Sequence, residues 1–437
     1  MLGSIGIRKS LFSFTFTLLC AAVALCLASA TSGFASASTV RPHAQGPAPT
    51  FASPVVMRGV LNTQTTISAD LNGDGLPDLV TGATIYDPNR AGIFDVVVTQ
   101  MNLGSFQYGP AVQTILGPQH AGNGIDAIAA GDINRDGKAD IVVGVMDVFA
   151  QPKNIAVVLS RGDGRFSRPQ WYAPSPPNFP PGPRVHSLAL ADVSRDGALD
   201  IIVEGAGSTQ RQMSVLRGRG DGTFMTPVLS APLPLAGDVM SVLVGDMDHD
   251  GIADLVLPEQ LGNSDFSYMV VHVEHGKGNG TFVESSQIST DTNPARSQLV
   301  DIDNNGRPDL VLSGWGGTDG GRGGMFVYRS NADGSLNTPA YYPIAAVDLV
   351  AADFNHDGNV DIATGGQNAA GTRIFAEFRD GDGSGSFPMI PTTTVVTKGY
   401  MALGFDVDGD RRPDLVTQVV TGPGVHSKIA IYQNVTP

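Results

Sequence analysis

The chain has 437 residues, a formal net charge of −15 and 42% hydrophobic side chains. That acidity excludes nucleic acid as a partner, because a polyanion would be repelled. Its two cysteines, Cys20 and Cys26, both lie near the start, so disulfides cannot hold the rest of the chain together.

In chain order, Arg8 and Lys9 come first, then an apolar stretch, then Ala28-Ser29-Ala30. A basic start, a short apolar run and an A-x-A site predict a signal peptide over 1–30. The expected destination is outside the cell, with the periplasm as the alternative. Ala35-Ser36-Ala37 is a second candidate cleavage site, and the leucine before each cysteine argues against a lipid anchor. Residues 31–50 are rich in Ser, Ala, Pro and Gly and predict a disordered leader. No later stretch is apolar for long enough to span a membrane.

"DLNGDGLPD" at 70–78 places an acidic or amide oxygen at alternate positions, then a Gly, then a closing Asp. An EF-hand begins this way but needs Glu at position 12, where this chain has Thr81. The flanks "TTISA" and "LVTGA" are rich in β-branched and small residues, which predicts a loop between two strands.

The motif occurs seven times. Asp70 and Asp406 are 336 residues apart over six steps, or 56 residues per repeat. Propeller repeats of roughly 40 to 50 residues carry about four strands each, whereas β-helix repeats are far shorter. One repeat cannot bury its apolar face alone, but seven packed radially can.

Calcium takes six to eight oxygens in flexible geometry. The expected donors are side chains at positions 1, 3, 5 and 9 and the carbonyl at position 7. In the first copy these are Asp70, Asn72, Asp74, Asp78 and Leu76; in the second, Asp132, Asn134, Asp136, Asp140 and Lys138. The third offers Asp192, Ser194, Asp196, Asp200 and Ala198, and the fourth Asp246, Asp248, Asp250, Asp254 and Ile252. The fifth offers Asp301, Asp303, Asn305, Asp309 and Arg307, and the sixth Asp353, Asn355, Asp357, Asp361 and Asn359. The seventh offers Asp406, Asp408, Asp410, Asp414 and Arg412. Up to seven Ca²⁺ are expected, since converging carboxylates repel without a cation. The loops hold 23 of the 42 acidic residues, so metal sites explain most of the negative charge. Loop 4, with four Asp and Gly251, is expected to bind best. Loop 3 has the weaker donor Ser194, and loop 7 has Arg411 where a Gly is expected.

Each repeat then reads alike: a small apolar strand A, the Asp loop, strand B, strand C, a Gly-rich turn such as "RGDGRF", and strand D. This pattern resembles the FG-GAP/VCBS repeat family, whose calcium-loop blades also build the integrin α-subunit propeller. The resemblance covers residues 51–437. It implies an all-β, seven-bladed β-propeller with a calcium-binding hairpin loop in each blade.

The resemblance also implies a non-catalytic binding or adhesion module for extracellular protein or carbohydrate. The alternative is a propeller-scaffold enzyme such as a polysaccharide lyase or hydrolase, which would need convergent His, Tyr, Arg or carboxylates. No G-x-S-x-G, H-E-x-x-H or P-loop motif is present. A monomer is expected.

His249 and His356 occupy the variable position 4 of their loops, and His272 and His275 lack a neighbouring Cys for a zinc site. Arg161-Gly162-Asp163 and Arg219-Gly220-Asp221 spell RGD, yet both fall in the Gly-rich turn, whose chemistry demands this pattern. The metal loops and Gly-rich turns must share one rim, because antiparallel connections alternate ends. The opposite face should then receive Trp171, Tyr172, His186, Trp315, Tyr341, Tyr342 and Tyr400, with Asp126 and Asp238 nearby. Aromatic rings flanked by polar groups suit sugar or peptide stacking, and the competing reading packs the same rings between blades.

Overall fold

The computed structural model describes residues 46–437 apart from 59–62, 88, 90–91, 119–123, 146–152, 177–184, 207–210, 230–236, 263–266, 316–322, 345–347, 368–373, 398–399 and 420–427. The expected signal peptide and most of the expected leader lie outside the described residues. Every helix or strand among the described residues is a strand.

The strands form seven antiparallel sheets, each a blade of a β-propeller. Blade 1 contains Thr63–Ala69, Asp78–Asp87, Gly92–Gln100 and Val112–Pro118 as strands A to D. Blade 2 contains Ile125–Gly131, Asp140–Val145, Ile155–Val158 and Gln170–Tyr172. Blade 3 contains Leu188–Ala191, Asp200–Ala206, Arg211–Leu216 and Val228–Leu229. Blade 4 has a divided strand A, Asp238–Val239 and Leu243–Gly245, before Asp254–Gly262, Ser267–Gly276 and Phe282–Thr290. Blade 5 contains Asn293–Val300, Asp309–Trp315, Gly324–Tyr328 and Ala340–Tyr342. Blade 6 contains Asp348–Ala352, Asp361–Gln367, Ile374–Arg379 and Thr393–Thr397.

Blade 7 supplies only three strands from the end of the chain: Tyr400–Phe405, Asp414–Val419 and Lys428–Tyr432. Its strand D is Val55–Arg58, paired antiparallel with Val55 opposite Ile431 and Arg58 opposite Lys428. The start of the propeller thus closes its last blade. Each strand A contacts the A strands of its two neighbours, and blade 7 contacts blade 1, so the A strands line the ring axis.

The core lies between blades rather than inside them. One cluster joins Ile202, Met213 and Val215 of blade 3 to Leu255, Leu257 and Phe282 of blade 4. Equivalent clusters fill the other interfaces, including the one between blades 7 and 1. Burying one such side chain contributes about 1.5–3 kcal/mol. Strands B and C can therefore be apolar on both faces, as in the fully buried Ile141, Val142 and Val143.

Candidate metal centres

The Asp at position 1 organises each loop. One of its oxygens, Oδ2, accepts the position 6 N–H at 2.7–2.9 Å in all seven loops. Its other oxygen accepts the position 5 N–H at 2.9–3.2 Å. The position 5 side chain then accepts the position 7 N–H at 2.7–3.0 Å.

These bonds wrap the backbone tightly and impose left-handed conformations at two points. At position 6, Arg411 has φ 69° where the other loops use Gly, a strain of about 1–2 kcal/mol for a side-chain-bearing residue. Position 4 is constrained as well: Arg135, Arg195, His249, Asn304 and His356 all have φ between 56° and 65°. The sequence reading of position 4 as freely variable missed this demand.

Position 9 behaves differently. Asp78, Asp140, Asp200, Asp254, Asp309, Asp361 and Asp414 are all buried, at 0–1% exposure. In six loops Oδ2 accepts the position 2 N–H, and in loop 3 it accepts from Ser194. The other oxygen, Oδ1, accepts an N–H at the end of strand C, two residues past it in six blades and at its last residue, Gly276, in blade 4: the donors are Asn102, Ser160, Gly218, Gly276, Ser330, Gly381 and Asn434, at 2.7–2.9 Å. In blades 1 to 6 the position 9 Asp thus ties the acidic loop to the C–D turn of its own blade, and in blade 7 Asp414 ties its loop to Asn434, in the tail after strand C. Burial pushes Asp78 and Asp140 up to about 6, and Asp361 and Asp414 up to about 7.

The donor sets fit a hard divalent cation. Ligand atoms lie within 4.8 Å of one another in Asp246–Asp248–Asp250, Asp301–Asp303–Asp309 and Asp406–Asp408–Asp414. In loop 5, Asp303 Oδ1 is buried without a hydrogen-bond partner, and so is Ser194 Oγ in loop 3. A carboxylate oxygen left dry among other carboxylates is stabilised by a bound cation. A further group is Asp248, Asp254 and His275, which adds a nitrogen donor that sequence reading missed. The available signal was positional: His275 directly precedes the residue bonded to Asp254 Oδ1. His272 is elsewhere, with Nε2 2.8 Å from Glu259 and Nδ1 3.2 Å from Glu284. Burial opposes the His272 cation, but those two carboxylates outweigh it and hold its pKa above the ordinary value.

Among the described residues the expected aromatic face does not assemble. Trp171 and Tyr172 lie in strand D of blade 2, and Tyr341 and Tyr342 in strand D of blade 5, not in the connections to the next blade. Trp171 packs against the core between blades 1 and 2. Tyr172 meets Phe224 of blade 3 edge-on at 5.6 Å, and Tyr342 meets Phe387 of blade 6 at 6.3 Å. Tyr341 stacks on Phe326 at 5.1 Å and donates to the Gly323 carbonyl. The apolar area of these rings is used to seal neighbouring blades. The side chains of Trp315 and Tyr400 lie outside the described residues.

What the start of the A strands does bring together is polar. His186 Nε2 is 3.5 Å from Asp238 Oδ1 across blades 3 and 4, and Arg296 Nε is 3.7 Å from Asp348 Oδ1 across blades 5 and 6. Gln260 donates to Asn293 across blades 4 and 5. Asp126 is the second residue of strand A of blade 2. The RGD tripeptides are tied into their own turns, with Asp163 bonded to Arg165 and Asp221 to Thr223.

A ring of seven blades, each with an Asp-rich hairpin clamped to the end of its own strand C, defines the class: a β-propeller of acidic-loop repeats. The family model of the FG-GAP-like repeat matches residues 70–143, 144–203, 206–257 and 301–364, more than half of the chain. The chain belongs to that family. It is 30% identical over 155 residues to integrin alpha-3 of Cricetulus griseus and 32% over 201 residues to integrin alpha-IIb of Homo sapiens. These matches cover 35% and 44% of this chain but only 14% and 17% of those proteins. A solved lectin of Agrocybe aegerita, which recognises non-reducing terminal N-acetylglucosamine, shares the fold at TM-score 0.51 and 20% identity, over 77% of this chain and 80% of that one. Among the described residues, no helix is long and apolar enough to cross a membrane.

Proposed function

We propose that the protein is a secreted, calcium-stabilised propeller that binds extracellular protein or carbohydrate without catalysis. The cation reading rests on Asp303, which has a buried oxygen without a hydrogen-bond partner and belongs, with Asp301 and Asp309, to a group whose ligand atoms lie within 4.8 Å of one another. In that reading Ca²⁺ holds positions 1, 3 and 5 against the already clamped position 9, which makes each loop rigid. Secretion rests on Arg8, Lys9 and Ala28-Ser29-Ala30.

The binding surface we favour is the face away from the acidic loops, around His186, Asp238, Arg296 and Asp348. These groups come from four blades as two pairs, one bridging blades 3 and 4 and one bridging blades 5 and 6, and hydrogen-bonding groups on a rigid scaffold suit sugars and peptides. Membership in a family that includes segments of integrin alpha chains supports a binding role, and the shared lectin fold makes glycans a sensible first library. The test is an array of glycans and matrix proteins probed with the calcium-loaded chain. Binding that falls in His186→Ala and Arg296→Ala, with melting unchanged, supports this surface. Undiminished binding in both variants places the site elsewhere, and product release from a polysaccharide would replace the module by an enzyme.

A further inference from the structure

The residue directly before the one whose N–H bonds the position 9 Asp reaches toward the acidic loop of its own blade in several repeats. In blade 7, Gln433 donates to Asp408 Oδ2 at 3.0 Å. In blade 3, Arg217 approaches Asp196 at 3.6 Å. In blade 4 the equivalent residue is His275, whose Nδ1 stands 3.5 Å from Asp248 Oδ2. Blades 1, 2, 5 and 6 have Met101, Leu159, Arg329 and Asp380 at this position. The loops are near-identical, but this flanking residue differs in charge and donor type from blade to blade. Among the described residues, only in blade 4 does it join an acidic loop in a group whose ligand atoms all lie within 4.8 Å.

We propose that His275 is a specificity-determining residue that makes the blade 4 site select a first-row transition ion, of the Zn²⁺ class, over Ca²⁺. This rests on the metal reading of the loops given above. Calcium and magnesium favour all-oxygen shells, whereas imidazole with carboxylates suits zinc, copper, nickel or iron. Ligands 2.0–2.2 Å from a tetrahedral ion are spaced about 3.3–3.6 Å apart, and the 3.5 Å separation of His275 Nδ1 from Asp248 Oδ2 lies in that range. It is long for a hydrogen bond. Asp254, buried and clamped by Met247 and Gly276, supplies a fixed third ligand.

The blade 5 turn holds the imidazole in place. A Cβ on Gly334 would lie 2.5 Å from His275 Nε2 and 3.2 Å from Asp248 Cβ. His275 Nε2 is buried there without a hydrogen-bond partner. A Gly with φ +78° therefore lets the turn close over the ring and fixes both His275 and Asp248.

The test loads the full chain with excess Ca²⁺ and a few equivalents of Zn²⁺, dialyses against Ca²⁺ alone, and counts both metals by mass spectrometry. The expected result is one retained zinc in the wild type and in His272→Gln, and none in His275→Gln, which gains a calcium instead. Gly334→Ala should weaken zinc retention without removing a ligand. Cobalt substitution should give the visible absorption of a nitrogen-ligated ion, lost in His275→Gln. Calcium bound but no zinc retained by the wild type overturns this inference and leaves the metal reading standing. Equal zinc retention in His275→Gln also overturns it. Binding of neither metal defeats the underlying reading instead.

Discussion

On the rim that carries the acidic loops, the same bonds recur in seven blades, from the position 6 N–H to Asp70 and its six counterparts. Among the described residues of the opposite face the blades differ. The B–C hairpin of blade 1 runs out to Asp87 and Gly92 and leaves Tyr86 67% exposed, and that of blade 4 runs to Gly262 and Ser267. Blades 3 and 4 share His186 and Asp238 there, whereas blades 5 and 6 share Arg296 and Asp348. The rim is uniform because each blade satisfies the same local backbone groups. The other face does not repeat those bonds, so its side chains can diverge from blade to blade.

The strongest way to break this comparison is within the rim itself. Asp309→Ala removes the acceptor for two buried N–H groups, those of Ile302 and Ser330. Each buried donor left unpaired costs about 1–3 kcal/mol, so denaturant titration should show a loss of about 2–6 kcal/mol even in chelator. Asp74→Ala, at an exposed position 5, should cost under about 1 kcal/mol in chelator and more in calcium. Equal losses in chelator would mean that position 9 is not the structural clamp.

A pH series sharpens the same distinction. Asp78 and Asp140 sit at about 6, and Asp361 and Asp414 at about 7, all raised by burial. A carboxyl raised in the folded state favours folding when protonated, and that stability is lost as pH rises through its folded pKa. The chelated protein should therefore melt higher at pH 5 than at pH 8. Calcium needs the ionised form, so the calcium-loaded protein should show the slope flattened or reversed. A chelated protein that gains stability from pH 5 to 8 contradicts this.

Smaller effects follow. Arg411→Gly relieves the left-handed strain at φ 69° and should raise stability by about 1 kcal/mol, measured by melting in chelator. Asp163→Glu with Asp221→Glu should leave any cell attachment unchanged, because both RGD turns are engaged in local bonds. Loss of attachment with normal melting would assign those turns a function.

The repeat order was legible in the sequence because it is local. Asp at positions 1 and 9, the Gly-rich turn and the small residues of strand A all lie within one repeat. The ring closure was not, since nothing near Val55–Arg58 marks Lys428–Tyr432 as its partner. His275 was missed for a related reason: it is distant in sequence from Asp248 and is brought back only by the B–C hairpin. Trp171 and Tyr342 look like loop aromatics until the short strands Gln170–Tyr172 and Ala340–Tyr342 place them against the neighbouring blades.

The central claim is that cations hold the acidic rim. The most direct measurement is the amount of calcium bound by the full chain after saturation and dialysis, read beside its melting curve with and without chelator. Each site that binds only the folded state adds about 2.7 kcal/mol at one hundred times its Kd. The account predicts several bound calcium ions and a large fall in Tm on chelation, restored by calcium and poorly by magnesium. No bound calcium, with the same Tm in excess chelator, would contradict it.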